Sequence, residues 1–176
     1  PDVLKTEVKG FEEAEIELIE TLLKKAVDAL IGFRTDEGKI LESEFKKRLK
    51  NLEELSEEVE IVDPERNTKI KEKLQSALDS LEVEVDQNRF EQELIYYLEK
   101  YDITEEKVRL KNHIDYFKNN LDDDISNGKK LGFIAQEIGR EINTIGSKAN
   151  HANLQKLVIK MKDELEKIKE QLLNVL

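Results

Sequence analysis

The chain is predicted to be all-α, built of long antiparallel helical hairpins packed as a bundle with coiled-coil character. Three observations lead there. About half of its 176 residues are Ala, Glu, Lys, Leu or Arg, against seven Gly and two Pro, a composition of long helices rather than sheet. Charged residues reach 39%, so much of each helix must be solvated. Apolar residues recur three and four apart over most of the chain, the period of a single helical face.

The first helix is expected from Phe11 to Phe33, with Ile16, Ile19, Leu23, Val27 and Leu30 on a face broad enough for two neighbours. Its stripe resumes at Leu41, Phe45, Leu49, Leu52, Leu55 and Val59. The intervening Gly32 to Gly38 is either a break or a weak point in one long helix, since each Gly costs about 1 kcal/mol relative to Ala. Asp63-Pro64 reads as a restart, because Asp caps helices and Pro suits a first turn. Ile70, Leu74, Leu78 and Leu81 carry that helix on. Val83-Glu84-Val85 is β-like but short. Asp86 caps a helix bearing Phe90, Leu94, Tyr97 and Tyr101, and Thr104 caps one bearing Leu110, Ile114, Phe117 and Leu121. Asp122 to Gly128 reads as a frayed end and loop. A helix over 129–149 turns Leu131, Ile134, Ile138, Ile142 and Ile145 inward. The last begins near Ala152, with Leu154, Val158, Met161, Leu165, Ile168, Leu172 and Val175 in a coiled-coil alternation. The chain thus divides into a long hairpin region, 1–85, and a C-terminal helical domain, 86–176.

Several functions fall away. No apolar run approaches the ~20 residues of a membrane span, and no signal peptide opens the sequence. The absence of cysteine removes disulfides, thiolate metal sites and thiol nucleophiles, and fits a cytoplasmic origin. The net charge of −11 argues against a general nucleic-acid coat. Charge is nevertheless uneven: residues 129–176 hold nine basic and six acidic side chains, a net of +3, leaving −14 on the first 128. A polyanion is expected to favour the C-terminal end.

Two helices carry candidate chemistry. Glu105, Arg109 and His113 stand four apart and share one face. A carboxylate, a guanidinium and an imidazole so aligned can bind metal or phosphate and move a proton, although an exposed ion pair beside a bystander histidine is the commoner arrangement. On the helix over 129–149, Gln136, Arg140, Asn143 and Ser147 form one polar row and Glu137, Glu141, Thr144 and Lys148 the next. Gly132, Gly139 and Gly146 recur every seven residues, a spacing that admits a ligand or another backbone. These rows fit a polar inter-helix contact equally well. Glu105, Glu137 and Glu141 can hold a hard divalent ion through oxygen. His151 belongs to a turn or cap. Phe133 lies on the helix of polar rows but suits the core as well, so stacking platforms for bases look sparse.

Asp102-Ile103-Thr104-Glu105-Glu106, followed by Arg109-Leu110 and His113, resembles a segment of the YicC/YloC endoribonucleases. Lys130-Leu131, Gln136-Glu137, Arg140-Glu141, Asn143-Thr144, Gly146-Ser147-Lys148-Ala149-Asn150 and Gln155-Lys156-Leu157-Val158 continue the likeness in order and spacing. Arg34, Glu37-Gly38 and Leu41 extend it weakly into the first helix. Gly132 and Gly139 depart from it, standing where that family commonly has Asp and Asn. The resemblance implies the C-terminal helical part of a bacterial, cytoplasmic RNA-cleaving protein, a homo-oligomer (a hexamer) around an RNA channel, using Mn²⁺ or Mg²⁺. On that reading Glu105, His113, Glu137 and Glu141 are the expected catalytic residues, with the metal on Glu105, Glu137 and Glu141 and His113 as general acid or base. Arg34, Arg109, Gln136, Arg140, Asn143 and Lys148 are then the RNA contacts, and neither DNA nor membrane is an expected partner. The alternatives are a helical oligomerisation module and a non-catalytic RNA-binding protein.

Overall fold

The computed structural model describes residues 10, 12–80, 86–121 and 127–175. Among them every regular element is a helix: α1 Glu13–Asp79, α2 Gln87–Lys100, α3 Thr104–Leu121, α4 Gly128–Lys148 and α5 Ala152–Leu172. The all-α prediction holds. The β-like stretch 83–85, the expected domain boundary at 85 and the start of the loop after Leu121 lie outside the described residues.

Two compact units are present, Pro1–Leu41 and Glu42–Leu176. In the first, the described helix leaves Ile16, Ile19, Leu23, Val27 and Leu30 all exposed. Among the described residues, the apolar face read from the sequence is present there and exposed.

In the second unit, Phe45, Leu49, Leu52 and Val59 of α1 are buried, as are Leu110, Ile114 and Phe117 of α3. The Phe45 and Phe117 rings meet at 5.9 Å. α4 packs against both α3 and α5. Its Ile134, Ile138, Ile142 and Ile145 are buried, as are Leu154, Val158, Met161, Leu165 and Ile168 of the α5 stripe. The glycines divide in use. A Cβ on Gly146 would lie 2.9 Å from Val158 Cγ1, and one on Gly139 would lie 3.1 Å from Leu165 Cδ2. These two admit apolar side chains of α5, whereas Gly132 faces open space.

The expected restart at Asp63-Pro64 is corrected: α1 runs through it with Pro64 inside the helix. Proline removes an amide donor and crowds the preceding turn, so something must hold that turn. Asp63 and Arg66, on either side of Pro64, are both buried. Arg66 Nε donates to Asp63 Oδ1 at 2.9 Å and its Nη1 to the Tyr101 carbonyl at 2.5 Å. Lys107 Nζ reaches Asp63 at 3.0 Å and Glu60 at 2.7 Å. Tertiary charge contacts therefore outweigh the local signal for a break. Gly32 and Gly38 likewise lie inside α1.

Capping follows the sequence at α2, where Asp86 accepts from the amides of Asn88 and Arg89. At α3 the capping carboxylate is Asp102, which accepts from both the amide and the hydroxyl of Thr104. Burial pushes the Asp102 carboxyl up, but these bonds and nearby Lys148 hold it below its ordinary value. A second tie joins α1 to α5: Glu164 accepts from Asn51 at 2.8 Å and from Arg48 at 3.2 Å. Burial raises the Glu164 carboxyl, yet Lys167, Asn51 and Arg48 bring it down to about 2.

Candidate functional site

The α3–α4 pair builds the site. Glu137 and Glu141 are one turn apart on α4 and project together. His113 comes from the middle of α3. The three offer ligand atoms that all lie within 4.8 Å of one another. Glu141 is only 3% exposed, His113 is half-buried and Glu137 faces solvent. A buried carboxylate is costly unless charge or hydrogen bonds compensate it. Here a second carboxylate stands close by, which adds repulsion. A divalent cation relieves both terms, and two carboxylates with one imidazole suit Mn²⁺ or a neighbouring divalent ion. The residues present thus fit a metal.

The other expected site residues distribute around this group. Glu105 is not brought to it: the carboxylate pairs with Arg109 on the same exposed face of α3, two turns before His113. Arg140 is exposed and 3.6 Å from Glu137. Gln136 and Asn143 are exposed on α4 beside it. Thr144 and Ser147 turn their hydroxyls back onto α4, to the carbonyls of Arg140 and Thr144. Lys148 is engaged within the fold: its Nζ donates to the Asp102 carbonyl at 2.9 Å and to Glu106 Oε1 at 2.7 Å. Arg34 is exposed on α1 in the first unit. His151 holds the N-cap position of α5 without a side-chain cap bond.

A family description, Endoribonuclease YicC-like, C-terminal, matches residues 55–176 and so covers all of α2 to α5. The chain belongs to the YicC-like endoribonuclease family. It is similar to two relatives named "Probable endoribonuclease YicC". The one from Clostridioides difficile (strain 630) is 40% identical over 99% of this chain and 61% of its own length. The one from Haemophilus influenzae (strain ATCC 51907 / DSM 11121 / KW20 / Rd) is 29% identical over 93% of this chain and 58% of its own length. The chain therefore spans about three-fifths of the curated relatives it matches. Among the described residues, no helix of this YicC-like chain is long and apolar enough to cross a membrane.

Sequence reasoning missed the buried Asp63, Arg66 and Glu106 and the half-buried Lys107 that pairs with Asp63. A signal for part of this set was present: Asp63 and Arg66 continue the spacing of the α1 stripe from Val59 to Ile70. Charges at stripe positions point to a buried polar contact. The approach of His113 to Glu137 and Glu141 had no such signal, because it depends on how two helices dock.

Proposed function

We propose that this chain contributes the cleavage site of an endoribonuclease that breaks RNA phosphodiester bonds with a divalent cation held by His113, Glu137 and Glu141. The observation that carries the reading is that convergence on α3 and α4, in a family whose members are named for endoribonuclease activity. When bound, the cation supplies neutralisation of phosphate charge and acidification of water. Glu141, fixed by burial, anchors the group. Glu137 and His113 complete it from the solvent side. Arg140, one turn from Glu137, grips two oxygens of a phosphate bidentately. Arg109, held by Glu105, serves the neighbouring phosphate along α3. The net +3 over residues 129–176 draws a polyanion to this end.

The protein acts in this reading as a homo-oligomer, and the exposed apolar face Ile16 to Leu30 supports that part. A helical oligomerisation module without chemistry is the second reading favoured by the same face.

Two measurements test the proposal. Mn²⁺ titration followed by electron paramagnetic resonance reads the cation site alone: Glu141→Gln should remove one bound ion while circular dichroism stays unchanged. End-labelled RNA hairpin incubated with the full-length protein should be cut with Mn²⁺ or Mg²⁺ and left intact with EDTA or Glu137→Ala. Cleavage that persists in EDTA and yields 2′,3′-cyclic phosphate ends would overturn the metal part. Binding without cleavage under every condition would leave a non-catalytic RNA-binding protein.

A further inference from the structure

Phe133 stands four residues before Glu137 on α4, and Tyr116 three residues after His113 on α3. Because the two helices run antiparallel, both aromatics lie one turn from the His113–Glu137 pair in the same direction. Neither is core: Phe133 is 57% exposed and Tyr116 48%. One exposed ring alone is ordinary; here two flank the same polar cluster, with lysines on the same turn. The Lys130 ammonium sits 5.3 Å above the Tyr116 ring, within cation–π range. Lys129, Lys130, Asn127 and Phe133 line a shallow depression of about 300 Å³.

We propose that Phe133 and Tyr116 form a stacking step for unpaired bases beside the cation group, so that the preferred substrate is single-stranded or looped RNA. This rests on the endoribonuclease reading above and names the class of RNA it takes. Every base offers a π-face to an aromatic side chain, so such a step selects for bases free of a duplex rather than for a sequence. Lys129 and Lys130 supply phosphate charge on the same turn as the ring. The rise from Phe133 to Glu137 is about 6 Å along the helix, a span that one nucleotide of an extended strand bridges. A stacked base on Phe133 therefore sets the next phosphate over Glu137 and Arg140. A protein partner for these rings is the competing occupant, and the adjacent lysines favour a polyanion over it.

The test uses the full-length protein with three RNAs: a single strand, a stem with an unpaired loop, and a blunt duplex. Phe133→Ala should weaken binding of the first two by roughly 5- to 150-fold and leave the duplex unchanged. Phe133→Tyr should restore it. This chain has no tryptophan, so Phe133→Trp adds a reporter whose extra emission over wild type should be quenched by the single strand and not by the duplex. Lys130→Ala should lower the slope of log affinity against log salt, whereas Phe133→Ala should not. Equal single-strand binding by wild type and Phe133→Ala overturns the stacking step while leaving the nuclease reading intact. A changed mass in light scattering with unaltered RNA affinity assigns Phe133 to a protein contact and overturns it too. A wild-type protein that neither binds nor cuts any of the three RNAs overturns both readings together.

Discussion

Glu164 stays ionised because Lys167, Asn51 and Arg48 each donate to it and together outweigh its burial. Its folded pKa, about 2, lies below the ordinary 4.5, so its contribution is complete above pH 4.5 and drains away as pH falls towards 2. Allowing for solvent screening, that contribution is about 1–2 kcal/mol. Glu164→Gln should lower urea stability by that amount at pH 7 and by almost nothing near pH 2, which denaturation at both values checks. Arg66 poses the opposite problem, a cation almost wholly out of water. Arg66→Ala leaves Asp63 with Lys107 alone. The expected loss is about 2–3 kcal/mol, below the usual cost of an unpaired buried charge. Combining it with Asp63→Asn should recover part of the loss in the same titration.

At the scale of the helix, α4 is where small residues decide packing. Gly146→Ala forces a methyl against Val158 Cγ1 and should cost about 1–3 kcal/mol. Gly132→Ala meets nothing within 4 Å and should gain up to about 1 kcal/mol from helix propensity. Thermal melts of the two variants should therefore move in opposite directions. The sequence made α4 and α5 legible because their apolar positions follow the helical period without interruption. It misread Asp63-Pro64, since proline is a local signal and the buried charges around it are a tertiary one. At the site, the shared row of Glu137 and Glu141 could be read from spacing four. That His113 meets them while Glu105 turns to Arg109 depends on inter-helix docking, which no single helix encodes. Phe133 was ambiguous for a related reason: periodicity places it beside the core stripe, and only the packed structure shows it more than half exposed.

For the whole molecule, the contrast lies between a well-packed second unit and a first unit whose apolar face is exposed among the described residues. Leu23 is 63% exposed and Leu30 56%, one of several rows that water solvates poorly. If these rows join copies of the chain, the double variant Leu23→Glu, Leu30→Glu should lower the solution mass measured by light scattering. The second unit should keep its melting behaviour. An unchanged mass counts against this face as the subunit contact.

The bond from Lys148 to Glu106 also sets a frame for the chemistry. Glu106 precedes His113 by seven residues on α3, and Glu141 precedes Lys148 by seven on α4. Seven residues fall about 20° short of two full turns, so each partner of the Lys148–Glu106 pair shares a helical face with one member of the cation group. The pair therefore acts as a register pin for the hairpin. One residue inserted between Glu141 and Lys148 would rotate both α4 carboxylates by about 100° relative to the pin, carrying them off the face that meets His113. Single-residue length changes in that stretch should be lost to function even where the helix itself survives them.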